Sequence, residues 1–377
     1  IYTLSLHDAL PISTSVRNEY WKHGSVCEDY SAIQCPVLAL DGWADSYTNT
    51  VLRVVENLKV PRRGIIGPWA HVYPHDGAPG PAIGFLQEAV RWWDHWLKGK
   101  ENGVMEAPMV QAWIQDSYPP SAFQYVSAGR WVCAEDWPSK QTEERTLHLA
   151  HGKLLDRPCE KKESVKLKTP LNHGLLAGEW MGAAVPGESP SDQRIDDGMA
   201  MVFEGEVLSE PLEILGYPRF EIELSSDKPC AMLFAQLSDV APDGAVTRVT
   251  YGVMNLTHLE GHDKVVRLEP GKKVKAWVKL DCAGHRFKPG HRMRLSLATT
   301  FWPMFWPMPE EATLTLDLAT GVLRLPVFKE SVEGRAPEAQ PESAPLTPTT
   351  FLTEGYVDRS VRSEEHTSEL QSPTSIS

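Results

Sequence analysis

Between Pro36 and Gly99 the hydrophobic pattern alternates strand with helix twice, and beyond about residue 101 it gives way to short strands punctuated by turns. Residues 37–40 form a short apolar run that follows Pro36 and stops at Asp41-Gly42, the profile of a strand buried in a parallel sheet. Residues 48–58 then place Val51, Leu52, Val54, Val55 and Leu58 on one helical face. A second apolar run at 64–66 is ended by Gly67-Pro68. After a Gly/Pro-rich loop, residues 83–97 set Leu86, Ala89, Val90, Trp93, Trp96 and Leu97 on one stripe, and Lys98-Gly99-Lys100 closes the helix. Strand, helix, strand, helix predicts a parallel α/β arrangement. Two such units do not fill a sheet, so the expectation is the last part of an α/β domain.

The second region reads differently. Residues 109–114, 146–149, 199–203, 219–224, 231–237, 247–253, 273–280 and 292–299 are its clearest strands. Pro242-Asp243-Gly244, Glu269-Pro270-Gly271 and Lys288-Pro289-Gly290 supply turns between them. Many strands without a long amphipathic helix predict an antiparallel sandwich, read here as a jelly roll of the galactose-binding-like kind. The Pro-, Ser- and Glu-rich stretch 333–350 reads as a loosely ordered strap leading to a final segment at 351–356.

Both ends stand apart from the rest. Residues 2–13 (YTLSLHDALPIS) and 362–372 (RSEEHTSELQS) resemble translated sequencing adapter, and fold reasoning excludes such segments. The expected organisation is therefore 1–13 adapter-like, 14–100 the C-terminal part of an α/β domain, 101–361 a jelly roll, and 362–377 adapter-like. A net charge of −13 with no block of Lys or Arg disfavours nucleic acid and anionic membrane surfaces as partners. The six cysteines have neither CxxC pairs nor regular spacing, which argues against zinc and against a disulfide scaffold. Scattered reduced thiols favour a cytoplasmic protein.

Asp45 and His71 follow the two parallel strands, where open α/β sheets bind ligands. An acid after one strand and a histidine after the next are the last two members of the Ser, Asp, His chain order of α/β-hydrolases. Neutral imidazole takes the proton of a serine hydroxyl while the carboxylate fixes its tautomer. Asp41 is the rival acid, four residues earlier, at the strand end.

The motifs extend this pattern. Gly42-Trp43-Ala44-Asp45, Gly67-Pro68-Trp69-Ala70-His71 and Trp92-Trp93-Asp94-His95-Trp96-Leu97-Lys98-Gly99 are followed by Gly178-Glu179-Trp180 and Asp192-Gln193-Arg194. Leu237-Ser238-Asp239-Val240, His285-Arg286-Phe287 and Pro289-Gly290-His291 complete the set. In this order they resemble the CocE/NonD hydrolases, which include cocaine esterase, α-amino acid ester hydrolases and X-Pro dipeptidyl-peptidases. The resemblance implies an α/β-hydrolase domain followed by a jelly roll. It implies Asp45 as triad acid, His71 as triad base, and a small ester, amide or short peptide as substrate, with no metal or cofactor. Tyr47 and Trp43 are candidates for the substrate pocket.

The departure from the family is the nucleophile. No Gly-x-Ser-x-Gly occurs in the sequence, and Ser25 in His23-Gly24-Ser25-Val26 does not sit between a strand and a helix. In the family, the stretch corresponding to residues 20–30 ends a helical cap. The chain is thus expected to be an N-terminally truncated hydrolase, inactive by itself because acid and base have nothing to activate. Two rival readings are a noncatalytic β-sandwich binding module, and a metal hydrolase built on His71, His75 and a carboxylate. The tryptophans Trp92, Trp93 and Trp96 read as core, and Asp192, Arg194, Asp196 and Asp197 as a structural Arg–carboxylate network.

Overall fold

A computed structural model describes residues 16–159, 161–332, 336–337 and 341–342. The adapter-like ends, the 351–356 segment and most of the 333–350 strap lie outside the described residues. The chain divides into two units. Described residues of the first include a short helix, Glu19–His23, whose first turn is capped by the Asn18 side chain accepting from the Tyr20 N–H. The second, Asp29–Glu260 with Val266–Glu342, holds every strand named below.

Its first three strands run parallel. β1 (Val37–Gly42) pairs with β2 (Arg62–Gly67), Leu40 opposite Ile65, and β2 pairs with β3 (Val110–Asp116), Ile65 opposite Gln111. The helix Asn49–Asn57 crosses between β1 and β2 and buries Val51, Leu52 and Val55 against Ile66, Ala112 and Ile114. The 109–114 run, read from sequence among antiparallel strands, thus continues the parallel set. A uniformly apolar run carries burial but not strand direction.

The second long helix, Phe85–Lys98, ends as expected, with Gly99 left-handed and its N–H bonded to the Asp94 and His95 carbonyls. Its buried residues are Glu88 and Trp92, however, and the anticipated stripe is exposed: Leu86 41%, Val90 56%, Trp93 53%, Leu97 74%. Ala89 and Trp96 of that stripe are half-buried, and Phe85, Ala89, Trp92 and Trp93 face Val37, Leu38 and Leu40 of β1 across one cavity.

The remainder is mostly β. It comprises β4 (Gly129–Ala134), β5 (Thr142–Ala150), β6 (Lys153–Leu155), β7 (Ser164–Leu167), β8 (Met201–Glu204) and β9 (Leu212–Gly216). Then come β10 (Arg219–Ser226), β11 (Met232–Val240), β12 (Val246–Asn255), β13 (Val274–Lys279), β14 (Ala283–Phe287), β15 (Arg292–Ala298) and β16 (Leu314–Phe328). All described strands join one mixed hydrogen-bonded network, continued from β3 through its parallel pairing with β14. The longest strand, β16, pairs with β5, β7, β9 and β10. Leu314, Leu316, Leu318, Leu323, Leu325 and Val327 point from it into the largest core, with Phe203, Phe220, Leu233 and Leu295. Gly244, Gly271 and Gly290 take the left-handed conformation that the Pro-Asp-Gly turn and the two Pro-Gly turns require.

Two polar networks brace this region. Asp197 accepts from Arg294 at 2.6 Å and Ser296 at 2.6 Å, whereas Arg194 pairs locally with Asp192. Buried Asp239, at the end of β11, accepts from His291 Nδ1 at 2.7 Å, lies 2.9 Å from His285 Nε2, and also takes the Ser117 hydroxyl. Ser117 directly follows β3, so this one carboxylate ties the parallel strands to β14 and β15. The His285 and Ser117 bonds hold the Asp239 carboxyl below its usual range against the opposing effect of burial.

Candidate active site

Two loops leave the C-terminal ends of β1 and β2 side by side, because parallel neighbours end on the same edge. They are stitched by backbone bonds, Trp43 N–H to the Gly67 carbonyl at 2.9 Å and Ala44 N–H to the Trp69 carbonyl at 3.0 Å. That approach requires a glycine at position 42, where a Cβ would lie 1.9 Å from the Trp69 oxygen. Trp69 is itself immobilised, 1% exposed, with its indole N–H on the Pro81 carbonyl at 2.8 Å.

The stitching brings Asp45 and His71 together. His71 Nδ1 lies 2.7 Å from Asp45 Oδ2. Asp45 Oδ1 accepts the Tyr47 N–H at 2.8 Å and the Ser46 hydroxyl at 3.3 Å, so the carboxylate is oriented before it meets the ring. The Asp45 side chain is 6% exposed and the His71 side chain 50%. With Nδ1–H donated to the carboxylate, Nε2 is the ring nitrogen able to accept a proton from outside. The His71 backbone N–H is anchored by the Gly182 carbonyl at 2.9 Å, which brings the loop after Gly178-Glu179-Trp180 against the site.

Asp41, Asp45, Tyr47, Trp69 and His71 line one cleft. Tyr47 is exposed, its ring 5.9 Å from that of His71. Trp43 points elsewhere: its indole N–H donates to the Trp113 carbonyl at 2.6 Å and its ring covers Gly284, which clamps the acid loop onto β3 and β14. Ser25 lies in the first unit and donates to the Trp21 carbonyl. His75 stacks on Phe85 at 5.8 Å between ring centres. Among the described residues no group of three or more His, Cys, Asp or Glu side chains is placed to hold a metal ion.

The rival acid has a different environment. Asp41 accepts the Gly42 N–H at 2.8 Å, and burial, reinforced by the neighbouring Asp45 charge, pushes its carboxyl up to about 7. The Asp41 carboxyl is thus pushed toward neutrality beside the Asp45–His71 pair. A carboxyl whose folded pKa exceeds its unfolded value near 3.8 costs stability as pH rises from that value through about 7. Asp41→Asn should therefore raise the unfolding midpoint above neutral pH, by about 1–2 kcal/mol once solvent screening is allowed for, and change little near pH 4. Equal effects in thermal melts at the two pH values would show that charge is not the cause.

The supports that sequence reasoning missed come from the β-rich region. Asn49 donates to Asp281 Oδ1 at 2.6 Å and accepts the Cys282 N–H at 2.9 Å, while its carbonyl takes the Tyr217 hydroxyl at 2.9 Å. Cys282 packs on Thr48, and burial pushes its thiol up to about 12, far from a reactive thiolate. An asparagine opening a helix reads locally as a cap, and no nearby residue betrays partners more than 200 positions away.

Known proteins place this geometry. The model of the X-Pro dipeptidyl-peptidase C-terminal non-catalytic domain matches residues 102–340, and that of the X-Pro dipeptidyl-peptidase S15 family matches 7–73, the stretch containing Asp45 and His71. Cocaine esterase of Rhodococcus is 23% identical over 312 residues, 76% of this chain and 52% of that protein. A CocE/NonD family hydrolase from Staphylococcus aureus superposes with a TM-score of 0.66 at 13% identity, covering 85% of this chain and 59% of that one. An α-amino acid ester hydrolase does so at 0.64 and 18%, covering 85% and 60%. The chain spans about half the length of the curated relatives it matches. With a family model covering more than half of its residues, the chain belongs to the X-Pro dipeptidyl-peptidase family, whose C-terminal non-catalytic domain matches residues 102–340.

Proposed function

We propose that this chain supplies the acid and base of a serine hydrolase, Asp45 and His71, and that a serine from outside this sequence completes the triad in a longer enzyme. The observation that carries the reading is the 2.7 Å bond between His71 Nδ1 and an Asp45 carboxylate already held by Tyr47 and Ser46. In this reading β1 and β2 close an α/β-hydrolase sheet, and residues from about 101 onward, whose first strand β3 pairs with β2, form a jelly roll that buttresses it.

The serine hydroxyl attacks an ester or amide carbonyl as His71 Nε2 takes its proton. The same nitrogen then returns the proton to the leaving group, and water repeats the cycle on the acyl-serine. Asp45 holds the ring and stabilises the imidazolium. The substrate is a small ester, an amide or a short peptide.

A fluorophosphonate probe tests the division of labour, since it marks only an activated serine. The chain alone should remain unlabelled, and the longer enzyme should be labelled in a His71-dependent manner. Stoichiometric labelling of the chain alone would place the nucleophile within it.

A further inference from the structure

A second cavity shares Asp45 with the His71 cleft but is not lined by His71. Arg248, Tyr118, Tyr251, Asp281, Trp43 and Phe123 are among the residues that line it. Arg248 and Thr250 lie on β12 on either side of a β-bulge at Val249, where the pairing with β11 slips between Leu237 and Ser238, and all three residues line the cavity. Thr250 donates to the Asp281 carbonyl at 2.7 Å, which holds Asp281 at the cavity wall.

The Arg248 guanidinium is held by two contacts. One Nη1 donates to the Ala177 carbonyl at 2.6 Å, and the Tyr251 ring lies 4.6 Å from its central carbon. Among the described residues no other acceptor reaches the fork. Asp281 forms no ion pair with it: its Oδ1 is taken by the Asn49 amide at 2.6 Å, and burial raises its pKa. Three more acids line this cavity, and none forms an ion pair with Arg248: Asp45 is engaged by His71, Ser46 and Tyr47, Glu188 accepts the Val185 N–H at 2.9 Å, and Glu179 makes no ion pair among the described residues. Burial lowers the pKa of Arg248, against the opposing effect of Tyr251, Tyr118 and Asp281.

A planar guanidinium with unused N–H donors matches a carboxylate, which it binds through two parallel hydrogen bonds. Aromatic walls beside it suit an apolar body. We propose that this cavity binds a small monocarboxylate with an aromatic or branched apolar body, its carboxylate on Arg248 and its body against Trp43 and Phe123. The site is independent of whether Asp45 and His71 catalyse anything, so a chain inactive in hydrolysis would still bind.

Calorimetric titration of the chain with sodium benzoate, beside benzamide as the uncharged compound of the same shape, tests this directly. Benzoate should bind saturably and benzamide at least about 10-fold more weakly. Arg248→Gln should weaken benzoate by about 10-fold or more. The idea is overturned by equal binding of the two compounds, by no saturable benzoate binding, or by unchanged affinity in a folded Arg248→Gln chain. Should that variant unfold, the two-compound comparison on the unaltered chain decides alone.

Discussion

His71→Ala in the longer enzyme is expected to lower turnover of p-nitrophenyl acetate on the order of 10⁶-fold, since the serine loses its proton acceptor. Asp45→Asn should lower it about 10⁴-fold. Asp45 is nearly as buried as a core residue and its two oxygens have separate duties, one toward Tyr47 and Ser46 and one toward the ring. An amide at that position offers N–H where the imidazole needs an acceptor and favours the wrong tautomer. Substrate binding should change far less than turnover in both variants, because neither side chain needs to touch the bound ester. Measured kcat within about tenfold of the parent for either variant would remove that residue from catalysis.

Gly42→Ala is the second large effect. The added methyl would stand 1.9 Å from the Trp69 oxygen and 2.8 Å from its Cα, all backbone, and Trp69 is locked by its own indole bond. Relief requires the β1 and β2 loops to separate, which breaks the 3.0 Å bond from Ala44 to Trp69 and opens the Asp45–His71 pair. A loss of more than about 3 kcal/mol in urea unfolding is expected, with turnover lost in parallel. Gly205→Ala is the matched control. Its methyl would meet nothing nearer than 3.5 Å, and its stability should stay within about 1 kcal/mol of the parent. Similar midpoints for the two variants would mean that the loops are not in the contact described.

The parts of the molecule readable from sequence are those whose physics is local. Residues 48–58 announce their buried face through spacing alone, and Val51, Leu52, Val55 and Leu58 are buried as that spacing demands. The Pro-Asp-Gly and Pro-Gly turns are equally local. The Asp45 and His71 positions follow from strand ends plus chain order, and their loops do meet. β16 was hidden for a specific reason. Its alternation of Leu314, Leu316 and Leu318 with Leu323, Leu325 and Val327 changes phase across Ala319-Thr320-Gly321, where the pairing with β10 also slips between Glu221 and Glu223. Gly321 and Pro326 reinforce the impression of a break. At Gly321, though, a Cβ would sit 2.5 Å from Leu149, so the glycine marks close packing rather than a turn. The helix Phe85–Lys98 departs in the opposite direction, since Leu86, Val90, Trp93 and Leu97 of its apolar stripe are exposed while Glu88 is buried.

The grip of Asn49 on Asp281 and Cys282, together with the Trp43 indole lodged over Gly284, has a bearing on chimeras. A β-rich region grafted from a distant cousin would have to arrive with a carboxylate, a free backbone N–H and a side-chain-free residue at these three places. Without them the acid loop would lose its outer scaffold even though every residue of the donor sheet and its loops were native. Recombination between such enzymes should accordingly succeed in blocks that keep both faces of this seam from one parent.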